Sequence, residues 1–187
     1  MLPLLNAFTR FAREGAAVGR LLAAYGEMEI DLMYCLAPVV GLEKAVQRVY
    51  RHRGETKRID NVEMDAKHYY EQRSLGDDFG YAICAMRDCL EVRNKYSHCQ
   101  WHDYDGKRLT YVDLEELARR RDPIPDLRKV KHYFVDASQL SAWENYFQNT
   151  SRALIYTQTS ARVLAGELSN QPVAKPARMT PPPLHIP

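Results

Sequence analysis

The chain lacks the short signatures by which most catalytic chemistry is recognised. It has no glycine-rich phosphate loop, no G-x-S-x-G elbow, no HExxH and no paired-carboxylate spacing, so kinase, hydrolase-elbow and glycosidase readings are set aside. A long uninterrupted apolar run is also missing. The most hydrophobic stretch, Leu21 to Leu42, is broken by Glu27, Glu29 and Asp31, and no charged leader precedes an apolar segment, so neither a signal peptide nor contact with a membrane is expected. An excess of one charge is missing too. With 26 Lys and Arg against 24 Asp and Glu, the net charge of +2 creates no global field toward nucleic acid, and any polyanion site must be local. Cysteine is scarce. Cys35, Cys84, Cys89 and Cys99 form no CxxC pair and three of them fall in helical apolar patterns, which reads as reduced core residues of a cytoplasmic protein.

What is present is the composition of a folded protein: 187 residues, 45% hydrophobic and 27% charged. The length favours one domain, placed at 1–169. Helical periodicity marks residues 4–14, Ala17 to Val39, Leu42 to Arg51, Glu55 to Arg73, Asp78 to Ser97 and, after an N-cap at Asp136, Ala137 to Glu167. Between the last two, about 100–113, short segments rich in Trp, Tyr, Thr and Val flank Asp105-Gly106, as a tight β-hairpin requires. The stretch through Pro123 and Pro125 reads as irregular. From 170 to 187, six prolines and few apolar residues predict a disordered tail. The expected fold class is all-α: a helical bundle with a small hairpin insert.

Two features carry chemistry. The first is Glu29, which falls inside the apolar stripe Leu22, Tyr25, Met28, Leu32, Met33 and Leu36 and therefore needs a partner. The second is the end of the helix over 78–97. At 100° per residue, Phe79, Ile83, Met86 and Leu90 share a narrow stripe whose continuation is Arg93, Asn94 and Ser97, with His98 close by. A guanidinium that grips phosphate oxygens, an amide that orients a hydroxyl or phosphate, and an imidazole that exchanges protons near neutrality are the parts of a metal-independent ribonuclease. Cleavage by the ribose 2′-hydroxyl needs a base, charge stabilisation at phosphorus and an acid for the leaving 5′-oxygen. One histidine does not supply base and acid at once; two copies of the chain do.

The segment VRNKYSHCQW, with four residues between Arg93 and His98, resembles the Rx4-6H motif of the HEPN superfamily. The resemblance covers roughly Ala17 to Trp101 and the long helix after Asp136. It implies a HEPN-like bundle, a homodimer with a composite active site, RNA as substrate, no cofactor or metal, and a toxin or phage-defence setting in which an antitoxin or other regulatory protein restrains activity. It also implies roles: Arg93 binds phosphate, Asn94 is the polar partner, His98 is base or acid, and an acidic residue of an earlier helix, here Glu29, supports the arginine. The motif runs on as Ser97-His98-Cys99 where Ala-His-Gly is commoner.

Other readings stand beside these. Arg93 and His98 also suit a helix C-terminus, where cations satisfy free carbonyls and the dipole. A HEPN-like fold also serves as a non-catalytic module that binds RNA or protein, and a partner-binding bundle would make the proline-rich tail its relevant feature. Lys95, Tyr96, His102 and Tyr104 line the mouth of the site or are plain surface. His98, Cys99 and His102 have metal-capable side chains but no second cluster to complete a zinc shell. Basic runs lie at Arg48, Arg51, His52, Arg53, Lys57 and Arg58, and at Arg119, Arg120, Arg121, Arg128, Lys129 and Lys131.

Overall fold

The computed structural model describes residues 6–104, 106–119 and 130–186. Among these the chain is mainly helical, with a small antiparallel sheet. The order is α1 (Asn6–Arg10), α2 (Ala12–Val40), α3 (Leu42–Tyr50), α4 (Glu55–Glu71), α5 (Gly76–Ser97), β1 (Cys99–Asp103), β2 (Leu109–Asp113), α6 (Leu114–Arg119), β3 (Tyr133–Val135) and α7 (Ala137–Leu164). No described helix is long and apolar enough to cross a membrane. Asp105, Pro123, Pro125 and the second basic run between Arg120 and Lys129 lie outside the described residues.

The residues cluster into two compact units. One, the helical unit, comprises Ala24–Leu90 and Tyr146–Pro181; the other, the sheet unit, comprises Met1–Ala23, Glu91–Asn145 and Pro182–Pro187. The helical unit buries the stripe of α5 read from sequence, with Phe79, Ile83, Met86 and Leu90 all at 5% exposure or less. Met28, Leu32 and Leu36 of α2 and Ile59, Val62 and Tyr70 of α4 are buried in the same unit. Tyr70 stacks on Phe79 with ring centres 4.5 Å apart, and its hydroxyl donates to the Cys35 carbonyl at 2.8 Å, which ties α4 to α2. Pro38 has no N–H to offer the Tyr34 carbonyl, its partner four residues back in a regular helix. α2 ends two residues later at Val40, and Gly41 takes φ 85°. Burial pushes the Cys89 thiol up to about 12 and raises that of Cys35 as well, so both sulfurs pack as protonated core groups.

Glu29, 9% exposed, finds its partner inside this unit. Its Oε1 lies 2.6 Å from Arg58 Nη1, and the same guanidinium donates from Nε to the His52 carbonyl at 2.9 Å. The pair ties α2 to α4 and fixes the turn between α3 and α4.

In the sheet unit the strand order is β1-β2-β3, antiparallel throughout, with Trp101 opposite Tyr111 and Tyr111 opposite Tyr133. The hairpin expected about 100–113 is present, but its connection is the five-residue stretch 104–108 rather than a two-residue turn. Gly106 takes φ 72°, which a side chain rarely adopts, and its N–H donates to Asp103 Oδ1 at 2.6 Å. Two further elements, α6 and β3, flank the stretch read as irregular and have no strong periodicity of their own. Asp113 caps α6 by accepting the N–H of Glu116 at 2.9 Å, and Asp136 caps α7 in the same way through the N–H of Gln139 at 2.8 Å.

The first helix differs from the expected 4–14. The chain turns at Phe11 and α2 begins at Ala12, running through Gly15, where a Cβ would come within 2.8 Å of the Phe8 ring. Glycine at this position permits the close approach of α1 to α2.

The tail expected to be disordered is laid down in place. In the helical unit Lys175 pairs with Asp78 at 2.7 Å and the N–H of Met179 donates to the Tyr81 hydroxyl at 2.9 Å. In the sheet unit the Pro183 carbonyl accepts from Gln139 Nε2 at 2.7 Å and Trp143 Nε1 at 3.0 Å, and the N–H of Ile186 donates to the Phe134 carbonyl at 2.9 Å. Prolines fix φ in advance, so ordering such a segment costs less backbone entropy than its composition implies.

Candidate functional site

The last turns of α5 carry the motif. Because the helix advances 100° per residue, its buried side over this stretch runs through Cys89, Val92 and Tyr96, all at 2% exposure or less, rather than through Arg93 and Asn94. Those two sit half-buried at the edge of that face, and Ser97 and His98 are exposed. Arg93 Nη1 donates to Asn94 Oδ1 at 2.9 Å, which holds the guanidinium beside the amide. The Asn94 carbonyl accepts both the N–H of His98 at 3.0 Å and the Ser97 hydroxyl at 3.1 Å, so the helical turn is kept up to the histidine that precedes β1.

Asn94 and His98 line a cleft of about 200 Å³ together with Glu91, Lys95, Asp113, Glu115 and Arg119; Arg93 does not line it. Lys95 Nζ lies 2.7 Å from Asp113 Oδ2, and Arg119 Nη2 lies 3.4 Å from Glu115 Oε2. Burial works to raise the Asp113 carboxyl, but the bonds from Lys95 and from the α6 N–H groups outweigh it and hold the group below the ordinary carboxylate value. Among the described residues the cleft therefore holds three carboxylates, two of them paired with its two permanent cations.

Lys95, offered for the mouth of the site, does line the cleft beside His98, whereas sequence reasoning missed Asp113, Glu115 and Arg119 as neighbours of His98. A signal for part of this existed: Asp113 followed three residues later by Glu116 is the spacing of a capping box, which places a helix start after the second strand of the hairpin. Of the residues offered for the mouth of the site, Tyr96 is instead core. Its ring lies 5.3 Å from that of Trp101 and 5.9 Å from that of Tyr111, and its hydroxyl donates to the Leu184 carbonyl at 3.2 Å. His102 and Tyr104 gather around His132, with 2.8 Å between His102 Nε2 and His132 Nδ1 and 4.3 Å between the Tyr104 and His132 rings. Burial lowers the His102 pKa and the neighbouring imidazole adds to this. Burial pushes the Cys99 thiol up to about 12, and it donates to the Tyr96 carbonyl at 3.5 Å. Among the described residues no group of three or more His, Cys, Asp or Glu is placed to hold a metal ion. Glu29, offered as support for Arg93, is engaged by Arg58.

No family model matches the chain, and no curated protein and no solved structure matches it.

Proposed function

We propose that the chain is a HEPN-type, metal-independent endoribonuclease whose active site is completed by a second copy. The observation that carries this is the half-buried Arg93, bonded to Asn94, on the same helix end that presents the exposed His98. In this mechanism His98 of one copy takes the proton of the ribose 2′-hydroxyl while His98 of the other protonates the leaving 5′-oxygen. The paired Arg93 side chains meet the charge that develops on the phosphoryl oxygens. In this role the enzyme is a toxin or phage-defence effector, held in check by an antitoxin or regulatory protein.

A second reading, a non-catalytic HEPN-like module that binds RNA or protein, is favoured by the carboxylates of Glu91, Asp113 and Glu115 around His98, which oppose a phosphate. One experiment separates the two. The purified protein is incubated with tRNA and mRNA in EDTA, and its mass in solution is measured by light scattering. The enzyme reading predicts a dimer that leaves 2′,3′-cyclic phosphate ends, with cleavage falling ~100-fold or more in His98→Ala and Arg93→Ala. A folded dimer without cleavage would leave the binding module as the better reading, and a strict monomer would remove the composite site.

A further inference from the structure

The helical unit has a larger cleft that the motif does not use. It measures about 730 Å³ and is lined by Lys44, Gln47, Arg48, Arg51 and His52 against Val39 and Val40 at the end of α2, with no carboxylate lining it among the described residues. The four polar positions from Lys44 to Arg51 follow the spacing i, i+3, i+4, i+7 and fall within an arc of about 100° along α3 and its C-cap. Arg48 is 3.3 Å from Asp65. Lys44 and Arg51 are exposed and have no carboxylate partner among the described residues.

We propose that this cleft grips the phosphodiester backbone of single-stranded RNA; taking RNA as the ligand rests on the ribonuclease proposal above. Two cations with no carboxylate partner among the described residues, in a concave site that no described carboxylate lines, attract a polyanion without a compensating loss of internal ion pairs. Lys44 and Arg51 are seven residues apart, ~10 Å along the helix, a separation that spans more than one phosphate. Contacts from Lys44 and Arg51 to phosphate meet backbone charge and not base identity; Gln47 lies between them and His52 follows at one end. An anionic membrane is the competing polyanion. It would need the cations to flank an exposed apolar face, but Leu42, Val46 and Tyr50, the exposed apolar residues of α3, are centred about 150° around the helix from the basic arc.

The test is fluorescence anisotropy with a labelled 12-nucleotide 2′-O-methyl oligouridine, which has no 2′-hydroxyl and is not cleaved, at several salt concentrations. Lys44→Glu/Arg51→Glu should weaken binding about tenfold or more and make the slope of log K against log salt shallower by ~1.4. Melting temperature is followed in parallel, and Lys44→Gln/Arg51→Gln replaces the charge reversal if that variant fails to fold. Arg13→Glu/Arg152→Glu, the same charge change at two exposed positions elsewhere, should bind as wild type does. Equal weakening by both reversals, or wild-type binding by the Lys44/Arg51 variants, overturns the proposal. So does a wild-type protein that binds phosphatidylserine vesicles and ignores the oligonucleotide. Because the probe is not cleaved, these results are independent of the cleavage assay: loss of cleavage in His98→Ala with this binding intact leaves both proposals standing, and cleavage without this binding removes only the second.

Discussion

The cleft at the end of α5 and the cleft along α3 both gather basic side chains, and they differ in what surrounds them. At the first, Lys95 and Arg119 are each matched by a carboxylate, Asp113 and Glu115. At the second, among the described residues, no carboxylate lines the walls and two of the cations have no acidic partner. A count of lysine and arginine along the sequence treats the two alike. The difference lies in pairing, since a cation already neutralised must give up one partner to take another.

The largest effect is expected at Glu29. Glu29→Ala leaves the Arg58 guanidinium, 17% exposed, without its carboxylate and should cost ~3–5 kcal/mol in urea denaturation. Glu29→Gln, which keeps an acceptor, should cost less. If Glu29→Gln were as stable as wild type but abolished cleavage, Glu29 would belong with Arg93 and not with the α3–α4 turn that shapes the basic cleft.

Asp113→Ala is next, at ~1–2 kcal/mol, because it removes the cap of α6 and frees Lys95. The sign with pH follows from the depressed carboxyl. Its stabilising contribution is whole above the unfolded-chain value of ~3.9 and is lost as pH falls through the lower folded value, so the gap between wild type and variant should close on acidification below about pH 4. A gap that stayed constant down to pH 2 would mean that the ionised carboxylate contributes nothing.

The smallest change in stability, under ~0.5 kcal/mol, is expected for Glu115→Gln, whose ion pair with Arg119 is exposed. Made in the Lys44→Glu/Arg51→Glu background, it should nevertheless raise affinity for the oligouridine a few-fold by freeing Arg119. Unchanged affinity would show that carboxylate pairing is not what separates the clefts.

Much of the local structure was legible in the sequence, because it depends on neighbours in the chain. The α5 stripe, the Asp136 cap and the β1–β2 hairpin follow from periodicity and capping residues within a few positions. Glu29 was legible as a carboxylate in need of a partner, but the partner stands 29 residues away, and nothing local chooses among the arginines. The same limit hid the pairing of β3 with β2, the burial of Tyr96 under the aromatic cluster, and the carboxylates around His98. The tail misled for a different reason: its order comes from main-chain carbonyls, which composition does not record, meeting donors such as Trp143 Nε1.

Among the described residues β3 is one of the two outer strands of the sheet, and an outer strand with free N–H and C=O groups is a template on which another chain can add. The bridge from Ile186 to Phe134 occupies part of that edge. Loss of Ile186, by proteolysis or by truncation after Leu184, should therefore show first as aggregation on storage at high concentration, before any change in the helical signal.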